Sequence, residues 1–182
     1  MRHLKTYKIF ENNNPILCDI DIEWVRSHFD EDIFGKFDHH LDKDRGAIDF
    51  EKSKCLKLNN EIIGCYCLHE SDIVETIERV EYWTNDGLFK NLEFFYPKEK
   101  LNIFKNKIGI FGDYLYIKPE YRQKGYADIL IDYSKKLSDY NWGITAGEKA
   151  EKYWIENKGR IRICEYYSDY ETKNIINSTL PR

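Results

Sequence analysis

The stretch 116-YIKPEYRQKGYADILIDYSKKL-137 constrains the chain more than any other. An apolar run ends at Pro119, which cannot donate to a sheet ladder and so stops a strand. Arg122-Gln123-Lys124-Gly125-Tyr126-Ala127 follows and passes without a gap into an amphipathic helix. Tyr126, Ile129, Leu130, Tyr133 and Leu137 form its apolar face, and Asp128, Asp132, Lys135 and Lys136 cover the other. Packed on a sheet by that face, the helix holds its start rigidly beside the preceding strand. Gly125 permits backbone conformations that other residues avoid and brings no side chain to block a ligand. Ala127 is nearly as small. The first amides of the helix have no partner within it, and its dipole favours an anion. Arg122 and Lys124 add positive charge at the mouth. One glycine between strand and helix also serves in turns that bind nothing, so residue types leave both readings open.

The rest of the chain supplies a mixed set of elements. Ile22, Val25, Phe29 and Ile33 recur at helix period, with Gly35 as the stop. The polar piece from Phe37 to Arg45, with His39 and His40, reads as a solvated connector. Residues 55–58 and 62–68 read as a hairpin turning at Asn59-Asn60, with Gly64 a possible bulge. A strand is expected over 77–86, with a turn at Asp86-Gly87. Segment 88–107, aromatic and basic by turns around Pro97, is left without an element. Aromatics among lysines suit nucleic acid, but Glu93 and Glu99 dilute the charge, and packing on the core is the commoner cause. A strand over 108–118, a short strand at 142–146, a helix from Glu148 to Asn157 ending near Gly159, and a strand over 160–167 complete the pattern. The tail from Asp169 reads as frayed.

With 182 residues the chain has room for one domain with a sizeable core. Its 15% aromatic content argues against disorder. The formal charge of -4 argues against a dedicated nucleic-acid binder, which normally carries a basic excess. No apolar run reaches the length of a membrane span, and the first residues lack a signal-peptide core, so the cytoplasm is the expected compartment. Cys65 and Cys67 share a strand face, but a zinc site needs two further ligands, so no metal is expected and the five cysteines read as buried free thiols.

The 110–137 string resembles motif A of the GNAT N-acetyltransferases. In that family a strand ending in apolar-x-Pro precedes Gln/Arg-x-x-Gly-x-Gly/Ala at the start of a helix. Here Leu115 to Pro119 end the strand, Tyr121 holds the frequent aromatic position, and Arg122, Gly125 and Ala127 fill the loop pattern. The likeness continues more loosely to residue 163. Residues 1–50 and 71–107 are unmatched. The resemblance implies an α/β (α+β) fold over a single domain, 1–182. Its mixed, mostly antiparallel central sheet is splayed at the cofactor-binding strand and flanked by helices.

It also implies acetyl-CoA as acyl donor and a small-molecule or protein amine as acceptor. The protein would be a monomer or homodimer, without a membrane or nucleic-acid partner. The pyrophosphate would sit on the amides of Gln123, Lys124, Gly125, Tyr126 and Ala127, with Arg122 closing the loop. The pantetheine arm would pair with the backbone of Leu115, Tyr116 and Ile117. Asp113, on the same strand and sharing parity with Leu115 and Ile117, is the first candidate for base or amine anchor, against an ordinary turn residue after Gly112; Glu81 and Glu61 are weaker candidates. The family's Asn-x-x-Ala-x-x-x-Tyr would fall on Gly147, Ala150 and Trp154, so only the alanine is kept. Tyr153 is the substitute acid if the helix is shifted by one residue, which Gly159, one position late, allows; Trp154 would pack on the cofactor arm. The departure leaves two alternatives open, a coenzyme A-binding module without activity and a GNAT-like nucleic-acid or nucleobase modifier.

Overall fold

The computed structural model describes residues 14–29, 36–41, 48–168 and 172–181, and every side chain among them but that of Glu148. In chain order the elements are β1 (Ile16–Asp19), α1 (Ile22–His28), a 3-10 turn (Phe37–Leu41), β2 (Lys54–Leu58), β3 (Glu61–Ser71), α2 (Ile73–Asn85), β4 (Lys90–Phe94), a second 3-10 turn (Lys98–Phe104), β5 (Gly109–Ile117), α3 (Tyr126–Ser134), β6 (Asn141–Ala146), α4 (Glu148–Glu151) continued by a π-helical turn (Lys152–Asn157), β7 (Ile161–Tyr167) and β8 (Lys173–Ser178). The strands form one sheet in the order β1-β2-β3-β5-β6-β8-β7-β4. Every pairing in it is antiparallel except β5 with β6. This is the mixed, mostly antiparallel architecture expected from the sequence.

The expected hairpin is β2–β3, turning on Asn59 and Asn60 at φ 50° and 65°. Asparagine is among the few side-chain-bearing residues at ease there. The bulge lies at Ile63, beside the glycine: Leu56 faces Gly64 and Lys57 faces Ile62. Gly64 answers a different need. A Cβ there would lie 2.6 Å from the Tyr116 carbonyl oxygen, so only glycine lets β5 come this close.

Three apolar clusters hold the layers together. Ile73, Ile77 and Val80 of α2 pack with Trp142, Ile163 and Ile176. Leu130 and Ile131 of α3 pack with Leu56, Ile63, Tyr66 and Ile110. Val25 of α1 packs with Phe37, Cys55, Cys65, Cys67 and Tyr114 on the opposite face of the sheet.

Four expectations are corrected. Residues 77–86 belong to a helix, not a strand: Asp72 caps it by accepting from the Val74 and Glu75 amides, and the buried positions 73, 77 and 80 are spaced for a helix. The first helix is shorter than expected, because Phe29 is extended at its C-cap; Ile33 and Gly35 lie outside the described residues. Segment 88–107 supplies β4 and the second 3-10 turn, where Leu101 and Phe104 are buried in the core. The tail is not frayed over its described residues, 172–181. Its residues 173–178 are a strand inserted between β6 and β7, with Ile175, Ile176, Asn177 and Ser178 buried.

The insertion has a direct test. Ile176→Ala removes a side chain with no exposure and should cost about 2–5 kcal/mol in urea denaturation. Leu180→Ala, at a half-exposed position, should stay within about 0.5 kcal/mol of the parent. Equal, small effects would contradict a buried β8.

Candidate active site

The loop between β5 and α3 carries two left-handed residues, Gln123 at φ 61° and Gly125 at φ 81°. Gly125 is the N-cap of α3 and supplies no capping side chain. The first turn therefore presents amides that no side chain satisfies. Arg122 folds back, its Nε donating to the Ile117 carbonyl oxygen at 2.8 Å, and Lys124 Nζ donates to the Glu120 carbonyl oxygen at 2.8 Å. Both cations thus brace the loop while their charge stays at its mouth. Asp128, in the same helical turn, would repel an anion; Lys158 pairs with its carboxylate and offsets that. Beside this turn, Glu61 accepts from Lys118 and Tyr121, which hold its carboxyl below the usual range.

β5 and β6 stay paired over one short stretch, Ile110 with Asn141 and Phe111 with Trp142. Beyond it the strands part. β6 continues against β8, and among the described residues no strand pairs with residues 112–117 of β5, including Leu115, Tyr116 and Ile117, on that side. The next residue on each strand is glycine. A Cβ on Gly143 would lie 3.4 Å from the Gly112 carbonyl oxygen and 3.1 Å from an Arg160 guanidinium nitrogen, and one on Gly112 would strike the Tyr66 hydroxyl.

A second irregularity sits at the same level. Cys67 of β3 faces Tyr114 while Leu68 faces Gly112, so Asp113 is the extra residue of a β-bulge. The bulge corrects the parity expected for Asp113. Leu115 and Ile117 pack toward α3, whereas Tyr114 and Tyr116 pack toward α1. Asp113 turns to the side of Tyr114, where its Oδ2 lies 2.8 Å from His40 Nδ1. His40 is therefore not in a solvated connector: the first 3-10 turn delivers it to the one acidic residue of β5. The intervening residues 42–45 lie outside the described residues.

Asp113, His40 and His69 line a cavity of about 510 Å³ between β3, β5, β6 and α2. Phe111 and Trp142 form an aromatic wall, their rings 4.6 Å apart, and the rim carries Glu70, paired with Lys52, and Glu75, paired with Arg79. Burial pushes the His69 imidazole below its usual pKa, against the pull of Asp113, and His69 Nδ1 is buried with no hydrogen-bond partner. At neutral pH that imidazole is therefore neutral, and burial opposes its protonation. Glu81 pairs instead with Lys98 of the second 3-10 turn and is not among the cavity's lining residues.

On the opposite face, Tyr153 and Trp154 pack into the α3 cluster. The Lys158 amide donates to the Tyr153 carbonyl oxygen, five residues back. A π-helical turn of this kind accommodates one extra residue, which explains the late Gly159. Burial and the Asp128 charge push the Tyr153 hydroxyl up to about 12, and among the described residues its buried oxygen has no partner. Removing it should help the fold: Tyr153→Phe is expected to raise unfolding free energy by about 1 kcal/mol, measured by urea denaturation, and a fall of that size would reveal a hidden partner. Trp154 stands near Tyr66 and carries the Arg160 guanidinium 4.0 Å over its ring.

The cysteines take no part in this geometry. All five are free thiols, and burial pushes Cys55 up to about 12. Among the described residues no group of three His, Cys, Asp or Glu side chains is placed to hold a metal ion. Among them, too, no helix is long and apolar enough to cross a membrane.

No family model and no curated protein matches the sequence. Solved structures do match the fold. Arabidopsis thaliana NAA60 in complex with acetyl-CoA aligns at TM-score 0.61 and 12% identity, covering 92% of this chain and 99% of that one. Arylalkylamine N-acetyltransferase 2 from Aedes aegypti aligns at 0.57 and 16%, with 92% and 99% covered. A GNAT-family acetyltransferase from Bacillus cereus aligns at 0.52 and 18%, with 93% and 99% covered. The chain has the GNAT acetyltransferase fold.

Proposed function

We propose that this protein is a cytoplasmic N-acetyltransferase that moves the acetyl group of acetyl-CoA directly to a primary amine. The observation that carries the reading is the parting of β5 from β6 one residue before the bulged Asp113, next to the uncapped start of α3. A parted strand offers backbone groups to an amide-bearing pantetheine arm, and the helix start offers amides to its diphosphate. The amides of Gln123 to Ala127 take the diphosphate, and the backbone of Leu115, Tyr116 and Ile117 takes the arm. The orphaned Tyr153 hydroxyl and the Trp154 ring lie on the side from which that arm would enter. Five free thiols fit a reducing compartment.

The acceptor comes from the other face. The amine reaches the thioester through the cavity of Asp113 and His40. Its nitrogen bonds to the acyl carbon, and the carbon–sulfur pair of electrons departs with sulfur. Charge on the carbonyl oxygen is steadied by a backbone amide of the bulge, where a residue stands outside the ladder. The amine's proton goes to the Asp113–His40 couple and on to water. The aromatic wall favours an amine with an apolar body, and the cavity volume suits such a molecule. Leu101 and Phe104 of segment 88–107 are buried in the core, which weakens the motive for a nucleic-acid acceptor.

Calorimetry with acetyl-CoA, followed by thiol release against a panel of primary amines, tests the reading. Binding with amine-dependent release is expected. Binding without release across the panel would leave a coenzyme A-binding module, and no binding by folded protein would end the proposal.

A further inference from the structure

The chain lacks a tyrosine where its fold's usual pattern puts one, and Tyr153, the substitute, is a poor acid when its hydroxyl is pushed up to about 12. A different group stands against Trp154, the residue that fills that position in the pattern. Arg160 follows the π-helical turn and is 4% exposed. Its guanidinium donates to Asn177 Oδ1 at 3.1 Å, reaches the Tyr66 hydroxyl at 3.5 Å and lies over Trp154. Among the described residues it forms no ion pair with a carboxylate; its partners are an amide, a hydroxyl and a ring. A buried cation without a counter-ion is costly and is normally found paired. It stays charged regardless, since guanidinium does not release its proton in proteins. Its position is specific: one nitrogen sits against Gly143, at the point where β5 and β6 part, with the Gly112 carbonyl oxygen facing the same gap.

We propose that Arg160 is the catalytic group that receives the negative charge of the departing coenzyme A sulfur. The inference rests on the donor site described above and adds the fate of the leaving group. As the carbon–sulfur bond breaks, sulfur keeps the electron pair and is held as a thiolate by the guanidinium. It takes a proton from water on release, and no side-chain acid is needed. Asn177 and Trp154 hold the guanidinium plane in position for this. The anion finds a counter-charge already desolvated and oriented, so little reorganisation accompanies the step.

The test compares free coenzyme A with its desulfo analogue, in which hydrogen replaces the thiol, by calorimetry from about pH 6 to about pH 9. If Arg160 favours the thiolate, the thiol's pKa falls on binding. Coenzyme A affinity should then climb relative to the analogue by up to about tenfold per pH unit between the bound and free pKa values. Arg160→Met should abolish that climb while keeping affinity for the analogue, and Arg160→Lys should restore part of it. Parallel pH profiles for the two ligands in the unmodified protein would overturn the assignment whether or not a variant folds. So would an unaltered climb in Arg160→Met. Failure of both ligands to bind would bring down the donor site itself, a distinct result from parallel profiles.

Discussion

Gly125→Glu is expected to remove measurable coenzyme A binding while the protein stays folded. The site has φ 81°, and a Cβ added there would have nothing within 4 Å, so the new side chain meets open space. The backbone penalty for a non-glycine residue in the left-handed region is about 1–2 kcal/mol, which a domain of ordinary stability tolerates. The carboxylate then stands where the diphosphate would be gripped. Two like charges about 4 Å apart near a protein surface cost about 4 kcal/mol, roughly a thousandfold in Kd. Gly87→Glu is the matched control. It has the same φ and the same open surroundings, but lies in the turn after α2. It should show a similar fall in melting temperature and an unchanged Kd. Equal affinity in Gly125→Glu and the parent would mean that the loop does not hold the phosphates.

Asp113→Asn is expected to lower kcat by about a hundredfold or more, the usual range for a lost proton acceptor, with acetyl-CoA affinity close to the parent's. The substitution keeps the shape of the side chain at the bulge and removes its charge. His40 then loses the carboxylate that sets its Nδ1 hydrogen bond, and the couple loses its capacity for the amine's proton. The acidic limb of the pH–rate profile should change with it. Losses of equal size in kcat and in donor affinity would instead make Asp113 a prop for the strand.

The strand, loop and helix of the proposed donor half were legible because they are made of local signals. Pro119, Gly125 and the apolar stripe of α3 sit within twenty residues of one another, and each acts through its own backbone or its own face. The acceptor half is built from distant pieces. Nothing near His40 in the chain announces Asp113, since their meeting depends on how the first 3-10 turn lies across β5. The bulge was equally hidden: strand alternation assigns Asp113 to the face of Leu115, and one extra residue reverses it. In α2, β-branched and aromatic residues looked like a strand, and the stronger signal was Asp72 ahead of positions 73, 77 and 80. β8 is poorly marked in the sequence because Asn174 and Asn177 are poor strand formers by propensity. Asn177 is nonetheless buried, its amide donating to Thr145 and to the Ile175 carbonyl oxygen as its own oxygen accepts from Arg160. A polar residue with every group satisfied belongs in a core.

The position of β8 also bears on how the protein is made. The strand follows all seven others in the chain yet lies between two of them. While a nascent chain is still short of residues 173–178, β6 and β7 each expose a long row of unpaired main-chain groups. The sheet is then two fragments with raw edges, open to pairing with neighbouring polypeptides. Arg160 meanwhile waits for Asn177. The fold can close only once residues 173–178 are free to pair with both strands.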